Sequence, residues 1–181
     1  MPKVIVGIDP GIYGGLVFID PYQHLICGFR MPVKQFQKTT KTKSGKFKTQ
    51  KMVDAVKLAE ITSRFSISVG YIENVHATPQ MGVVSAFSFG HSRGVLEGNL
   101  ASQGASLAFV APNKWKADLM VPADKEKAIK RAKTLLPGCD KLFDTGNKEY
   151  NSGLAEAAMI CLYGLLLENF QLQKPLELIN V

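Results

Sequence analysis

The chain opens on a run that leaves little freedom: Lys3 to Asp9 reads KVIVGID, apolar and β-branched, and ends on an acid followed by Pro10-Gly11. A run of this kind bounded by turn residues predicts a strand buried on both faces. Gly15 to Asp20 (GLVFID) predicts a second strand after the turn at Ile12-Tyr13-Gly14. His24 to Met31 predicts a third, with Asp20-Pro21 turning the chain between them. Three short strands in succession predict an antiparallel meander, which needs helices over its faces to complete a core.

The remaining pattern supplies them. Met52 to Phe65 carries apolar residues at 52, 53, 56, 58, 59 and 61, closer to helical than to strand spacing. Ser68 to Glu73 predicts a strand that ends on a carboxylate, and Leu107 to Ala111 a fifth strand. Val83 to Ser102 predicts a long helix with Gly90, Gly94 and Gly98 at four-residue spacing. Each interior glycine costs a helix about 1 kcal/mol relative to alanine. Three in a row imply a compensating close approach, either inside the fold or across a two-fold interface. A short helix starts at Pro112, and Asp124 to Leu136 predicts another, stopped by Pro137-Gly138. Residues 139–151 read as a loop, and Leu154 to Phe170 as an apolar final helix. The expected fold is α/β and ribonuclease H-like: a central mixed five-stranded sheet flanked by helices, in one domain spanning 1–181.

Charge is concentrated. The formal net charge is +7, and residues 33–51 (VKQFQKTTKTKSGKFKTQK) hold seven lysines, at 34, 38, 41, 43, 46, 48 and 51, with no acid. The stretch is expected to be a solvated loop or a flexible arm on a polyanion. Lysines gain affinity for phosphates by releasing counterions, and Thr, Ser and Gln add hydrogen bonds to phosphate. Phe36 and Phe47 within the arm would stack on bases or pack against sugars. Lys38, Lys41, Lys43, Lys46 and Lys48 are the arm's candidate nucleic-acid contacts. Cys27, Cys139 and Cys161 are odd in number and far apart, which suits a reducing compartment. No apolar run approaches the roughly 18 residues of a membrane span. With no charged-then-apolar leader, the expected location is the cytoplasm and no membrane partner is expected.

Three acids stand where chemistry can gather: Asp9 and Glu73 at strand ends, and Glu156 in what reads as the first turn of the last helix. Magnesium-assisted phosphodiester hydrolysis needs hard oxygen ligands converging from different elements. Two ions about 4 Å apart can then activate water and stabilise the leaving oxygen. Singly, each acid is better read as an exposed strand-end or helix-surface carboxylate, with Asp9 the strongest exception because it stands between an apolar strand and Pro10-Gly11.

Six segments resemble, in order, the motifs of RuvC-like Holliday junction resolvases of the phage and chloroplast branch. They are GIDPG at 7–11 with GGLVFID after it, IENVHATPQMG at 72–82, FSFGHSRGVLEG at 87–98, PNKWK at 112–116, DKEKA at 124–128 and SGLAEAAMICLYG at 152–164. The resemblance spans the chain except the lysine arm. It implies a homodimer that binds a four-way DNA junction and makes paired, symmetric nicks with Mg2+ or Mn2+ at a two-metal site. Asp9, Glu73 and Glu156 would be the metal ligands. The family places a fourth carboxylate shortly before the helix glutamate, in a pattern similar to DHGRAEA; here Asn151 takes that catalytic position. Asparagine keeps the shape and an oxygen but loses the charge. It is either an engineered Asp-to-Asn change, slightly the favoured explanation, or a natural departure. The motifs lean towards a bacterial virus, whose host cytoplasm would then be the location.

Further candidates for DNA contact are Phe87 or Phe89 as a wedge in the junction centre, His76 in the substrate groove, His91 and Arg93 on backbone phosphates, and Lys116 and Lys125 near the cut. The bland alternatives are core aromatics, a hydrogen-bonded loop histidine and solvated lysines, and Trp115 reads as a packing residue. A junction-binding protein that does not cut is the rival function. An actin-like phosphotransferase needs a second domain that 181 residues do not provide, and a nuclease on other nucleic acids shares the same fold.

Overall fold

A computed structural model describes residues 3–41, 44, 45 and 47–180, with residues 38–41 and 48 described in backbone only. The opening meander forms as expected: β1 (Lys3–Asp9), β2 (Gly15–Asp20) and β3 (Leu25–Arg30) pair antiparallel. β6 (Ser66–Glu73) and β7 (Ser106–Val110) add in parallel on the other side of β1. The sheet order is β7-β6-β1-β2-β3-β8, the last a two-residue strand, Glu177–Leu178, beside β3. The sheet thus has six strands rather than five, because a short C-terminal segment with no strand signal closes its edge.

The lysine-rich stretch is not a loop. β4 (Val33–Lys41) and β5 (Phe47–Val53) form a two-stranded antiparallel hairpin separate from the main sheet. Val33 pairs with Val53 at its base. Alternating Thr, Gln and Phe among the lysines supply strand propensity that the charge run concealed. Met52 and Val53, read as helical, belong to β5. α1 (Ala55–Thr62) begins only after the Asp54 cap, whose carboxylate accepts from Val56 N and Lys57 N.

Helices form the outer layers. α1 and α2 (Val83–Ser102) cover one face of the sheet, where Val4, Val6, Ile8, Leu16 and Phe18 meet Leu58, Leu96 and Leu100. α3 (Pro112–Asp118), α4 (Lys125–Leu135) and α5 (Lys148–Leu167) cover the other, against Ile5, Val17, Ile19 and Tyr71. No residue in the first nine of α2 is buried, so this end of the helix projects beyond the core. α5 is long and apolar enough, by length and composition, to cross a membrane, a feature the run-length reading missed; in this fold it is the core helix, with 67% of its apolar window buried. Cys27, Cys139 and Cys161 are buried and free.

α5 also starts six residues earlier than expected. Asn147 caps it, its Oδ1 accepting from Glu149 N at 2.9 Å and Tyr150 N at 3.3 Å. Glu156 therefore lies in the third turn, and Asn151 in the first.

Two glycines seat α5 on the sheet. A Cβ on Gly7 would stand 2.3 Å from Ala157 O, and one on Gly153 would stand 2.1 Å from Tyr13 O. Both contacts are with backbone, so no side-chain adjustment would relieve them. The N-terminal half of α5 is thereby pressed onto β1 and the turn that follows Asp9.

Candidate metal centre and nucleic-acid interface

Strand parity and register bring the acids together. Along β1, Ile5 faces α5 while Val4, Val6 and Ile8 face α1 and α2. Asp9 shares the parity of Ile5 and points to the α5 side. On β6, Tyr71 faces α5 and Ile72 does not, so Glu73 points the same way. Ile8 pairs with Ile72, which sets Asp9 and Glu73 level on neighbouring strands. Such strands lie about 4.8 Å apart. Glu156 completes the group from α5, one residue before the Ala157 that rests on Gly7.

Each carboxylate is held. Asp9 Oδ1 accepts from Gly11 N at 3.0 Å. Glu73 is buried, with Oε1 accepting from Trp115 Nε1 at 3.2 Å. Glu156 Oε1 meets Lys116 Nζ at 3.3 Å. Arg93 Nη1 donates to Asn74 Oδ1 and Val75 O, clamping the chain just beyond Glu73, while Nε meets Glu97.

Burial, and after it like charge, disfavours the ionised form of these carboxylates. The Asp9 carboxyl is pushed up to about 7, chiefly by loss of water and also by Glu156 and Glu73, with the Gly11 amide and Lys116 opposing the shift. Glu73 is raised too, first by burial and then by Glu156, against Lys116 and the Trp115 hydrogen bond. A cation would relieve this repulsion, and hard carboxylate oxygens suit Mg2+ or Mn2+. Among the described residues, however, no three His, Cys, Asp or Glu stand close enough to cage a metal. The donor set fits an ion bound by one or two carboxylates with water or phosphate oxygens completing its shell, the usual manner of Mg2+.

The Asn151 side chain is engaged elsewhere. Its Oδ1 accepts from Thr145 N at 2.8 Å and Thr145 Oγ1 at 2.6 Å, closing the turn before α5. Five residues are roughly 140° around a helix from Glu156, whereas buried Ser152 shares the Glu156 face. Asn151 instead lines a groove between α4 and α5 with Lys125, Lys130, Lys133 and Lys148.

The expected DNA contacts divide. The hairpin rises beside the acidic end of the sheet, tied down by Gln50 to Ser88 and by Lys51, whose Nζ donates to Tyr13 Oη at 3.2 Å. Lys43 and Lys46 lie outside the described residues, and for Lys38, Lys41 and Lys48 only the backbone is described. Phe36 and Phe47 are exposed. Phe87 is 68% exposed, whereas Phe89 is half-buried in a 350 Å³ groove with Pro10, Gly11, Gln50 and Lys51. His76, His91 and Lys125 are exposed on the 74–82 loop, α2 and the start of α4. Arg93 and Lys116 have the internal partners given above rather than open positions.

Sequence reasoning missed three contributions: the Trp115 bond to Glu73, the Gln50 tie to α2, and a ladder in which Lys51 lies over Tyr13, Tyr13 meets Tyr150 edge-on, and Arg30 lies over Tyr150. The tryptophan beside a charged motif residue in PNKWK was the one available signal.

No protein-family model and no curated protein matches the chain. Solved structures do. RuvC of Thermus thermophilus in complex with a Holliday junction substrate aligns with TM-score 0.55 at 16% identity, over 91% of this chain and 96% of that one. A second Thermus thermophilus RuvC structure aligns with TM-score 0.53 at 18% identity, over 91% and 96%. The yeast mitochondrial Holliday junction resolvase Ydc2 aligns with TM-score 0.52 at 12% identity, over 92% of this chain and 81% of that one. At these identities the likeness is one of fold, and the chain has the α/β, ribonuclease H-like fold of the RuvC type.

Proposed function

We propose that this chain is a divalent-metal-dependent endonuclease that binds four-way DNA junctions as a homodimer and resolves them by paired, symmetric nicks. The observation that carries this reading is the convergence of Asp9, Glu73 and Glu156 from three elements at one end of the sheet, with a lysine hairpin rising beside them. The structural neighbours described as a RuvC–junction complex and a junction resolvase support the same substrate.

Asp9 and Glu73 would hold a Mg2+ or Mn2+ ion, with Glu156 contributing from the helix; when bound, the ion acidifies a water and neutralises charge on the phosphate. Burial holds the Asp9 carboxyl up at about 7, so a cation bound there would favour its charged form. Lys116 offsets carboxylate charge until a phosphate or cation does so. The hairpin lysines bind backbone phosphates and hold the branch against the acids. A second ion would lack a carboxylate from position 151. The exposed α2 face, with Val83, Phe87 and three open glycines, is the surface for the two-fold contact.

The test compares a labelled four-way junction with a linear duplex, with and without Mg2+ or Mn2+. Metal-dependent paired cuts on the junction alone are expected. Tight junction binding with no cutting, even by the Asn151→Asp variant, would sink the nuclease reading. The rival, a junction-binding protein without catalysis, is favoured by Asn151 being neutral and turned to Thr145.

A further inference from the structure

Trp115 is the single tryptophan of the chain and is completely buried. It is also bonded: its indole N–H donates to Glu73 Oε1, and Glu73 is itself only 7% exposed. The fold produces this meeting without a long loop. Val110, the last residue of β7, pairs with Glu73, and α3 starts two residues later. Lys114 N and Trp115 N both donate to Ala111 O, which fixes the first turn of α3 over the end of β6. Arg93 secures the backbone beyond Glu73 from the α2 side. The strand end is thus held by a guanidinium through its following residues and by an indole through its carboxylate.

We propose that Trp115 is a positioning residue for the acidic site: its N–H occupies Glu73 Oε1 and fixes the carboxylate, reserving Oε2 for a divalent cation. This rests on the metal-dependent reading above. A glutamate has three side-chain torsions and gains affinity for an ion when they are fixed beforehand. A neutral donor suits the task, because it orients the carboxylate without cancelling the charge the ion needs. Hydrogen-bond partners of this kind typically change metal affinity or activity by about 10- to 100-fold when removed. Had the indole served only to fill space, phenylalanine would replace it with no effect on the ion.

The experiment is calorimetric titration of Mg2+ into the full chain and into Trp115→Phe, with junction affinity in metal-free buffer and thermal melting measured beside it. The expected result is a folded variant with unchanged junction affinity and about tenfold weaker Mg2+ binding. Mg2+ affinity within twofold of the parent in a folded variant would overturn the proposal. A second measurement stands if the variant fails to fold: Trp115 fluorescence of the unmodified chain. Mg2+ should change its emission saturably, and Glu73→Gln should abolish that change. Calorimetric Mg2+ binding with no change in emission would overturn the proposal while leaving the metal reading intact. No Mg2+ binding by the parent at all would overturn both, a distinct outcome.

Discussion

Two sets of glycines occupy this molecule and behave in opposite ways. Gly7 and Gly153 lie where α5 meets the sheet, and a methyl group on either would strike backbone within 2.3 Å. Gly90, Gly94 and Gly98 on α2 have nothing within 4 Å of where a Cβ would stand. The first set is explained inside the monomer, since it lets α5 approach closely enough to bring Glu156 to Asp9 and Glu73. The second set weakens a helix and gains nothing in the monomer. No close approach within the chain explains these glycines, which is why α2 rather than α5 is the face proposed for the two-fold contact.

The largest expected effect tests the buried set. Gly153→Ala should lose about 3 kcal/mol of stability, because the added methyl meets the Tyr13-Gly14 backbone; chemical denaturation would measure it. A loss under 1 kcal/mol would mean that the turn after Asp9 yields, and that α5 is not rigidly seated. Next comes the acidic group that α5 completes. Asp9 has a folded pKa of about 7 against an ordinary 3.8, so the folded state binds the proton more tightly than the unfolded one. Its contribution is fully present below about pH 4 and is lost as pH rises through 7. In metal-free buffer, stability should therefore fall over that window by on the order of 2 kcal/mol, allowing for partial solvent access. Asp9→Asn should flatten the slope, and a denaturation series across pH would show it.

On the open side, Gly94→Ala should raise monomer stability by up to about 1 kcal/mol through helix propensity. It should at the same time weaken self-association, read by sedimentation equilibrium. Unchanged association would move the two-fold contact off this face. The smallest effect is expected at Asn151, whose side chain is engaged with Thr145: Asn151→Asp should change junction cutting by less than about threefold. A far larger gain would show that the 144–147 turn rearranges to bring position 151 to the acids.

Much of this architecture was legible from pattern alone. β1 and β2 announced themselves by apolar runs ended at turns, and α2 was bounded correctly at Val83 and Ser102. What failed did so for physical reasons. The lysine run hid a hairpin because charge dominates composition while Thr, Phe and Gln carry the strand preference. The start of α5 was misplaced because the apolar pattern begins at Leu154, whereas the cap is the Asn147 side chain. That error put Glu156 in the wrong turn, while Asn151 was placed by likeness to the family's fourth carboxylate and its side chain in fact accepts from Thr145. Asp9 and Glu73 were found as strand-ending acids, but that they sit level followed only from register. Trp115 could not be assigned to Glu73 from sequence, since the bond joins residues 42 positions apart.

The hairpin has one more consequence. Among the described residues, a ribbon of two strands outside the main sheet has no further strand paired along either side, the kind of edge that can template strand addition by another chain. Charged residues, lysine above all, are the usual guard on such edges, so the residues that would grip a polyanion would also oppose strand addition. Removing them wholesale would therefore produce a protein that sticks to itself, and loss of DNA binding in that background would be uninterpretable. Reversing a few charges, rather than erasing them, separates grip from guard.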